Sequence, residues 1–238
     1  MTIYSDWLRD FPHRCIETLT LLEPIAREHG REVTLLLSVG SILLNVPMER
    51  LKLRLDKSKR PIEHPMAGHP DEAARTANRE LALKFRAMLE ERFTTSQTLW
   101  GSSGGPKTGE WWAGDLGKEY DPAQPIYWFG HGPNEHKMPD EWRVGKVISV
   151  IRNACAHAHV LTYGSIAVKE DGTGDKDQVM EGKEQISRLL FVSLRNALDE
   201  QPTKFRFVGT TPEGFVALLH RWATAISDLD PTRRNSPP

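Results

Sequence analysis

The sequence predicts a mainly α-helical protein, a bundle of antiparallel helices that carries one long insertion and a few short β-strands near its C-terminus. In several segments the apolar residues recur three and four positions apart, as they do on the buried face of an amphipathic helix. This pattern dissolves between residues 94 and 138, where glycine and tryptophan are frequent. After residue 160 the apolar segments are short and rich in Val, Ile and Phe, which favours strands. We therefore expect a single domain over residues 1–230, followed by a flexible tail at 231–238.

The N-terminal part predicts three helices. The first is expected over residues 11–29, where Pro24 should bend or divide it. Residues 32–46 are apolar on nearly every side, which is typical of a central helix, and Pro47 should end it. A third helix is expected from a cap at Asp71 to about Arg92, with one apolar stripe. The residues of that stripe are Ala74, Ala77, Leu81, Phe85 and Met88.

The segment 94–138 combines many glycines with many aromatic residues. A disordered segment would be poor in aromatic residues, so this one is predicted to be an ordered insertion that packs over the helices. Loops of this length in a compact domain are often functional, and a purely structural cover is the alternative. Its aromatic residues include Trp100, Trp111, Trp112, Tyr120, Tyr127, Trp128 and Phe129.

The segment 160–210 is predicted to be a small β-containing elaboration with two or three strands. The expected strands are 160–169, 186–193 and 205–208. A helix over residues 185–198 is the alternative for the middle one. A capping-box pattern at 210–213 then introduces a closing amphipathic helix. Its apolar positions are Phe215, Leu218, Leu219, Trp222, Ile226 and Leu229.

Composition limits the classes of protein to consider. The chain holds 31 Lys and Arg against 32 Asp and Glu, so any nucleic-acid surface must be a local patch. The N-terminus carries too many charges for a signal peptide, and no run approaches the roughly 18 apolar residues of a membrane helix. Cys15 and Cys155 lie in apolar helical patterns and are expected to be buried thiols. We expect a cytoplasmic protein that makes no membrane contact.

One segment, residues 50–60, is densely basic and has two interpretations. It could bind phosphate groups, or it could be a solvated loop. Its basic residues are Arg50, Lys52, Arg54, Lys57, Lys59 and Arg60.

A fourth helix, expected to begin at Pro139, carries the residues best suited to chemistry. Within it, Arg152, Asn153 and His157 stand close together. At about 100° per residue, Asn153 and His157 share the side opposite the apolar stripe, and Arg152 lies on the flank, from which its long side chain could reach a phosphate. The polar side consists of Lys146, Ser149, Asn153 and His157.

These residue types suit phosphodiester chemistry without a metal. A histidine can move a proton near neutral pH, and a guanidinium can neutralise a phosphate that is gaining charge. A metal site is not expected, because Cys155 and His159 share one side of the helix while His157 points elsewhere. The alternative is that Asn153 and His157 belong to an ordinary solvent-facing side.

The stretch Ile151-Arg-Asn-Ala-Cys-Ala-His157, late in a helix that follows three others, resembles the motif of the HEPN superfamily. In that family an arginine, a polar residue, three further residues and a histidine lie in a helix of an antiparallel bundle. The resemblance implies a HEPN-like fold and a metal-independent endoribonuclease, without a cofactor, whose homodimer forms a composite site. It also implies a bacterial toxin–antitoxin, phage-defence or RNA-processing role, with an antitoxin or defence protein as a further partner.

Carried onto this chain, the resemblance assigns catalysis to Arg152, Asn153 and His157. His157 would move a proton, Arg152 would stabilise the pentacoordinate phosphorane, and Asn153 would orient His157 or the phosphate. The RNA products would carry a 2′,3′-cyclic phosphate and a 5′-hydroxyl. His159 stands where some toxins of the family have tyrosine, and it is a second candidate for the catalytic histidine. Lys146 and the basic residues of segment 50–60 would contact RNA, and a non-catalytic HEPN module that binds RNA, a nucleotide or a protein is the alternative.

Overall fold

The computed structural model describes residues 7–51, 72–101, 104–107, 110–116, 137–164, 186–195 and 204–229. Most of these residues are helical, and four strands form one antiparallel sheet, which confirms the coarse fold class. That the helices form a HEPN-like bundle remains a prediction. The helices are α1 (Trp7–Glu28), α2 (Glu32–Leu51), α3 (Glu72–Glu90), α4 (Gln97–Trp100), α5 (Val144–Ala156) and α6 (Pro212–Ser227). The strands are β1 (Trp111–Leu116), β2 (Val160–Gly164), β3 (Ile186–Arg195) and β4 (Lys204–Thr210).

Helix α2 is the central helix, as its apolar sequence predicts. It packs against α1, α3, α5 and α6. Gly40 allows a close approach to α6, because a Cβ at this position would lie 2.9 Å from the ring of Phe215. By length and composition alone α2 is apolar enough to cross a membrane, a test that the core helix of a soluble protein also passes.

The prediction that Pro47 ends this helix is wrong, because α2 continues to Leu51. Proline has no N–H to donate to the carbonyl four residues earlier, here that of Leu43. In the structure the indole Nε1 of Trp222 donates to that carbonyl at 3.2 Å, so a side chain of α6 replaces the missing bond. The helix therefore keeps its last turn, and Pro47 is buried within it.

The two other N-terminal helices are close to their predicted positions. Helix α1 begins at Trp7 and is not divided at Pro24, which lies inside it. The predicted stripe of α3 is confirmed at Leu81, Phe85 and Met88, which are all buried. Asp71, the predicted cap, and the side chains of Ala74 and Ala77 lie outside the described residues.

Helix α5 begins at Val144, so the predicted start at Pro139 is wrong. Pro139 instead opens a turn, since its carbonyl accepts from the N–H of Trp142 at 3.0 Å. Arg143 is extended and pairs with Arg92 in an isolated antiparallel bridge. These backbone bonds tie the entry to α5 to the segment that follows α3.

The sheet has the strand order β1-β4-β3-β2. Three strands match predicted segments, and β3 extends to Arg195. Strand β2 is described as far as Gly164, and residues 165–169 of its predicted range lie outside the described residues. The alternative of a helix over residues 185–198 is wrong where the structure describes this segment. The fourth strand, β1, lies in the glycine- and tryptophan-rich insertion and was not predicted. It pairs with β4 along its whole length, from Trp111 opposite Thr210 to Leu116 opposite Phe205.

Both faces of this sheet carry buried apolar residues. The inner face meets the helices and contributes Trp111, Ala113 and Phe191 to the main core. The outer face carries a second apolar cluster. Its buried residues are Trp112, Leu190, Val192, Phe205 and Phe207.

In the insertion, the aromatic residues that are described belong to the core. Trp100 and Trp111 both pack edge-on against Phe93, at ring-centroid distances of 5.3 Å. Tyr120, Tyr127, Trp128 and Phe129 lie outside the described residues, so the role of the whole insertion stays a prediction. The tail at 231–238 is likewise outside them.

Helix α6 confirms the predicted closing helix. All six of its predicted apolar residues are buried, the last of them, Leu229, just beyond its end. Its cap is Thr211 rather than Thr210, since the Thr211 hydroxyl accepts from the N–H of Gly214 at 3.0 Å.

Candidate functional site

The C-terminal end of α5 presents two histidines on the surface. The helix ends at Ala156, and its last carbonyls accept from the N–H groups of Ala158 and His159. Such a termination requires a left-handed residue, and Ala158 has a φ of 55°. His157 and His159 flank this residue, both exposed, with ring centroids 6.0 Å apart. The turn thus brings the two candidate histidines side by side.

Arg152 lies on the flank of α5, as the helical geometry predicts, and there it meets α2. Its Nη1 is 2.9 Å from Oε1 of Glu49. A quarter of the Arg152 side chain is exposed, against 58% for Glu49. The ion pair holds the guanidinium at the protein surface, where solvent reaches it.

Asn153 does not share an exposed face with His157, and this prediction is wrong. Its Nδ2 donates to the hydroxyl of Ser193 in β3 at 3.3 Å, and the residue is half-buried. Ser193 itself is only 7% exposed. The side of α5 that helical geometry assigned to solvent partly faces the inner side of the sheet.

A polar row across the inner face of the sheet explains this orientation. In the strand register, Asp115 of β1 lies opposite Arg206 of β4, which lies opposite Ser193 of β3. Asp115 accepts from Arg206 at 3.1 Å, and Lys146 of α5 approaches it at 3.4 Å. Lys146 and Asn153 therefore meet polar partners on the sheet, at opposite ends of the row.

The contacts of Lys146 indicate that it attaches α5 to its neighbours more than it offers a free contact to RNA. Its Nζ lies 3.6 Å from the ring centroid of Trp142, which favours the cation. Burial nevertheless lowers the pKa of Lys146, and the charge of Asp115 works against that shift. About a quarter of the side chain remains exposed to a ligand.

A cleft of about 400 Å³ lies one turn before Arg152 on the same helix. Met48 and Leu89 form its apolar part, and Lys146 and Ser149 border it from α5. Its other charged residues are Glu90, Glu141 and Arg143.

The predicted basic patch is almost entirely untested. Of its members only Arg50 lies in the part of the chain that the structure describes, and it is exposed. Lys52, Arg54, Lys57, Lys59 and Arg60 lie outside it.

The Cys155 thiol and the described histidines at the end of α5 do not form a metal cluster. Among the described residues, no three His, Cys, Asp or Glu side chains are grouped to hold an ion. Burial raises the pKa of the Cys155 thiol to about 11, so it is protonated near neutral pH and unsuited to be a ligand or nucleophile.

Sequence reasoning missed three residues that position the candidate site, namely Glu49, Asp115 and Ser193. None of them stands near the motif in the sequence. For Asp115 and Ser193, the sequence signal would have been a polar residue at every second position of β1 and β3. The two strands do not show this alternation, because they carry apolar residues on both faces of the sheet.

Comparisons of this chain with family models, with curated proteins and with solved structures find no match.

Proposed function

We propose that this chain is a metal-independent endoribonuclease of the HEPN type. The observation that carries the proposal is the end of α5, where Arg152 and His157 of the motif both reach solvent. The substrate is RNA, since the attacking group is the ribose 2′-hydroxyl. The products carry a 2′,3′-cyclic phosphate and a 5′-hydroxyl. A bacterial toxin or phage-defence system is the proposed context, and the cytoplasm is the proposed location.

In the proposed mechanism His157 moves the proton. The imidazole of His157 is exposed and lies beside that of His159, and it can take a proton from the 2′-hydroxyl or give one to the leaving 5′-oxygen. Arg152 stabilises the phosphorane, which carries more negative charge than the ground state. Glu49 orients Arg152 until a phosphate competes for the same N–H groups.

Asn153 has a more limited role than the resemblance implies. One N–H of its amide is used by Ser193, which fixes the side chain against β3. From this position Asn153 ties the C-terminal part of α5 to β3. We therefore assign it a positioning role.

A non-catalytic HEPN module that binds RNA, a nucleotide or a protein is the second candidate. The ion pair between Arg152 and Glu49 favours it, because a guanidinium whose charge is already partly neutralised contributes less to stabilising a phosphorane. The two candidates differ in whether RNA is cut.

The test is cleavage of single-stranded RNA in excess EDTA by the purified chain. We expect His157→Ala to lower the cutting rate by about 10²- to 10⁴-fold, the usual contribution of general acid–base catalysis. His220→Ala, which removes an exposed histidine of α6, is the matched control and should cut normally. A DNA strand of the same sequence should survive.

The site assignment fails if His157→Ala cuts like the control. If His159→Ala alone loses activity, the catalytic histidine is His159. If no RNA is cut and RNA binding persists, the second candidate replaces the enzyme.

A further inference from the structure

A second cavity, remote from the end of α5, lies between α1, α2 and α6, and we call it the three-helix cavity. Its volume is about 610 Å³, within the range that holds small organic ligands. Leu19 of α1, Val33 and Leu36 of α2 and Val216 of α6 give it apolar walls. Nothing in the proposed ribonuclease mechanism uses it.

Carboxylates are the polar groups that dominate this cavity. It is lined by Glu23, Glu32 and Glu213, against a single cation, Arg27. Arg27 is already committed, since its Nη2 lies 2.6 Å from Oε1 of Glu23. Neither Glu32 nor Glu213 has an ion-pair partner in the part of the chain that the structure describes.

Among these carboxylates, Glu32 gives the strongest indication of a ligand. Its Oε2 atom is buried and has no hydrogen-bond donor among the described residues, although part of the Glu32 side chain remains exposed. A buried carboxylate oxygen without a donor is unfavourable, so groups of this kind generally have a partner. A ligand that enters the cavity would supply this donor.

Helix N-termini explain only part of this arrangement. Glu32 begins α2, and Glu213 lies in the first turn of α6, where a carboxylate is favoured by the helix dipole. The dipole stabilises these carboxylates but does not remove their formal charges. The described lining therefore holds three carboxylates against one guanidinium, an excess of negative charge that favours a cation.

The character of the walls identifies the kind of cation. A hydrated metal ion would face Leu19, Val33 and Leu36, and two carboxylates supply few of the oxygen ligands that calcium or magnesium requires. An aliphatic chain would instead bury its methylene groups against those walls while its ammonium group donates to the carboxylates.

We propose that the three-helix cavity binds an aliphatic amine, with its ammonium group between Glu32 and Glu213 and its carbon chain along the apolar walls. This site is independent of the proposed ribonuclease activity. A polyamine or an alkyl amine has the required chemistry.

Binding is tested with hexylammonium chloride by thermal unfolding and by titration calorimetry. We expect a saturable rise in the unfolding temperature, which ammonium chloride at the same ionic strength and hexan-1-ol do not produce. Glu32→Gln should weaken binding by about tenfold or more, because it removes the charge that the ammonium group meets. Glu17→Gln, at an exposed position of α1, is the matched control and should bind normally.

A second variant keeps the test decisive if Glu32→Gln does not fold. Val216→Phe narrows the cavity and leaves the carboxylates in place, and it should abolish the response. The proposal is overturned if no probe binds saturably, or if Glu32→Gln and Val216→Phe both bind as tightly as Glu17→Gln. A response equal for hexylammonium and ammonium ions would show a non-specific charge effect and would also overturn it.

Discussion

Ala158 holds the turn between the two candidate histidines in a left-handed conformation. Its φ of 55° is unfavourable for a residue with a Cβ, at a cost of about 1 kcal/mol. Glycine is the usual residue at this position of a helix end. The cost is offset by the hydrogen bonds of the turn, including the bond from His159 N–H to the Ala154 carbonyl at 2.8 Å.

Replacement of Ala158 by glycine should therefore stabilise the protein. We expect a gain of about 0.5 kcal/mol, because relief of strain exceeds the larger entropy that glycine adds to the unfolded chain. Urea unfolding measures this change. Ala156→Gly, inside the last helical turn, is the matched control and should destabilise by about 0.5–1 kcal/mol. A loss of stability in both variants would contradict a strained Ala158.

The candidate site shows how far the spacing of residues in the sequence predicts the positions of individual side chains. Helical geometry correctly placed Arg152 on the flank of α5 and His157 at the surface. It failed for Asn153, because it takes no account of what lies opposite the helix. The hydroxyl of Ser193 and the charges of the polar row gave that side of α5 a second, polar neighbour.

At the level of secondary-structure elements, the junction between α3 and α4 depends on the carboxylate of Glu91. Glu91 accepts from the hydroxyl of Ser96 at 2.6 Å, and from both the hydroxyl and the N–H of Thr98. Burial alone would raise the pKa of Glu91, but these hydrogen bonds outweigh it and lower the pKa below its ordinary value of 4.5. The ionised carboxylate thus fastens the turn that leads into α4.

This bond network makes stability depend on pH. A lowered pKa in the folded state stabilises the protein above the unfolded pKa, and the benefit is lost as pH falls through the folded pKa. We expect Glu91→Gln to cost about 1 kcal/mol at pH 7, after allowance for its exposure. The deficit should shrink below pH 4.5, as urea titrations at several pH values would show. Glu80→Gln, at an exposed site of α3, should show no such pattern, and a deficit constant with pH would contradict the mechanism.

The pairing of Pro47 with Trp222 is a second test at the level of elements. Trp222→Phe leaves the Leu43 carbonyl without its donor and should cost about 1–3 kcal/mol, in addition to lost packing. Pro47→Ala supplies a backbone N–H to the same carbonyl. In a double-mutant cycle by urea unfolding, the combined variant should be more stable than the sum of the single effects by about 1 kcal/mol. Strict additivity would mean that Trp222 does not replace the missing bond.

The contact between Pro47 and Trp222 also illustrates why some elements were predictable from the sequence and others were not. Helices α3 and α6 follow from their apolar periodicity, because one face of each is buried. The end of α2 was missed because a donor from α6, far along the chain, replaces the N–H that Pro47 lacks. Strand β1 was missed because Trp111 and Trp112 are buried on opposite faces of the sheet, so the sequence shows no alternation.

At the scale of the whole molecule, the proposed activity requires a second copy. One subunit exposes a single His157 and a single Arg152, whereas the resemblance implies a composite site from two copies of α5. Between the two lies Ala156, an exposed small residue on the last turn of the helix. An isologous contact of two such helix ends would bring both motifs into one cleft.

Light scattering tests this assembly. We expect a mass of about twice 27.0 kDa for the native chain. Ala156→Arg should give monomers and abolish RNA cutting, because it places a large charged group in the contact. Ala87→Arg, at an exposed position of α3, should do neither. A native monomer that cuts RNA at full rate would refute the composite site.

The pairing of β1 with β4 also has a consequence for synthesis. The ribosome releases β1 and α5 well before β4, yet Arg206 of β4 belongs to the polar row on which α5 rests. Non-local pairing of this kind forms late in folding. A nascent chain that ends before residue 204 therefore carries the complete Arg152 to His157 motif, together with Asp115 and Ser193, but lacks Arg206 and the rest of β4. If the protein is a ribonuclease, we expect the emerging chain to reach full activity only after β4 has joined the sheet.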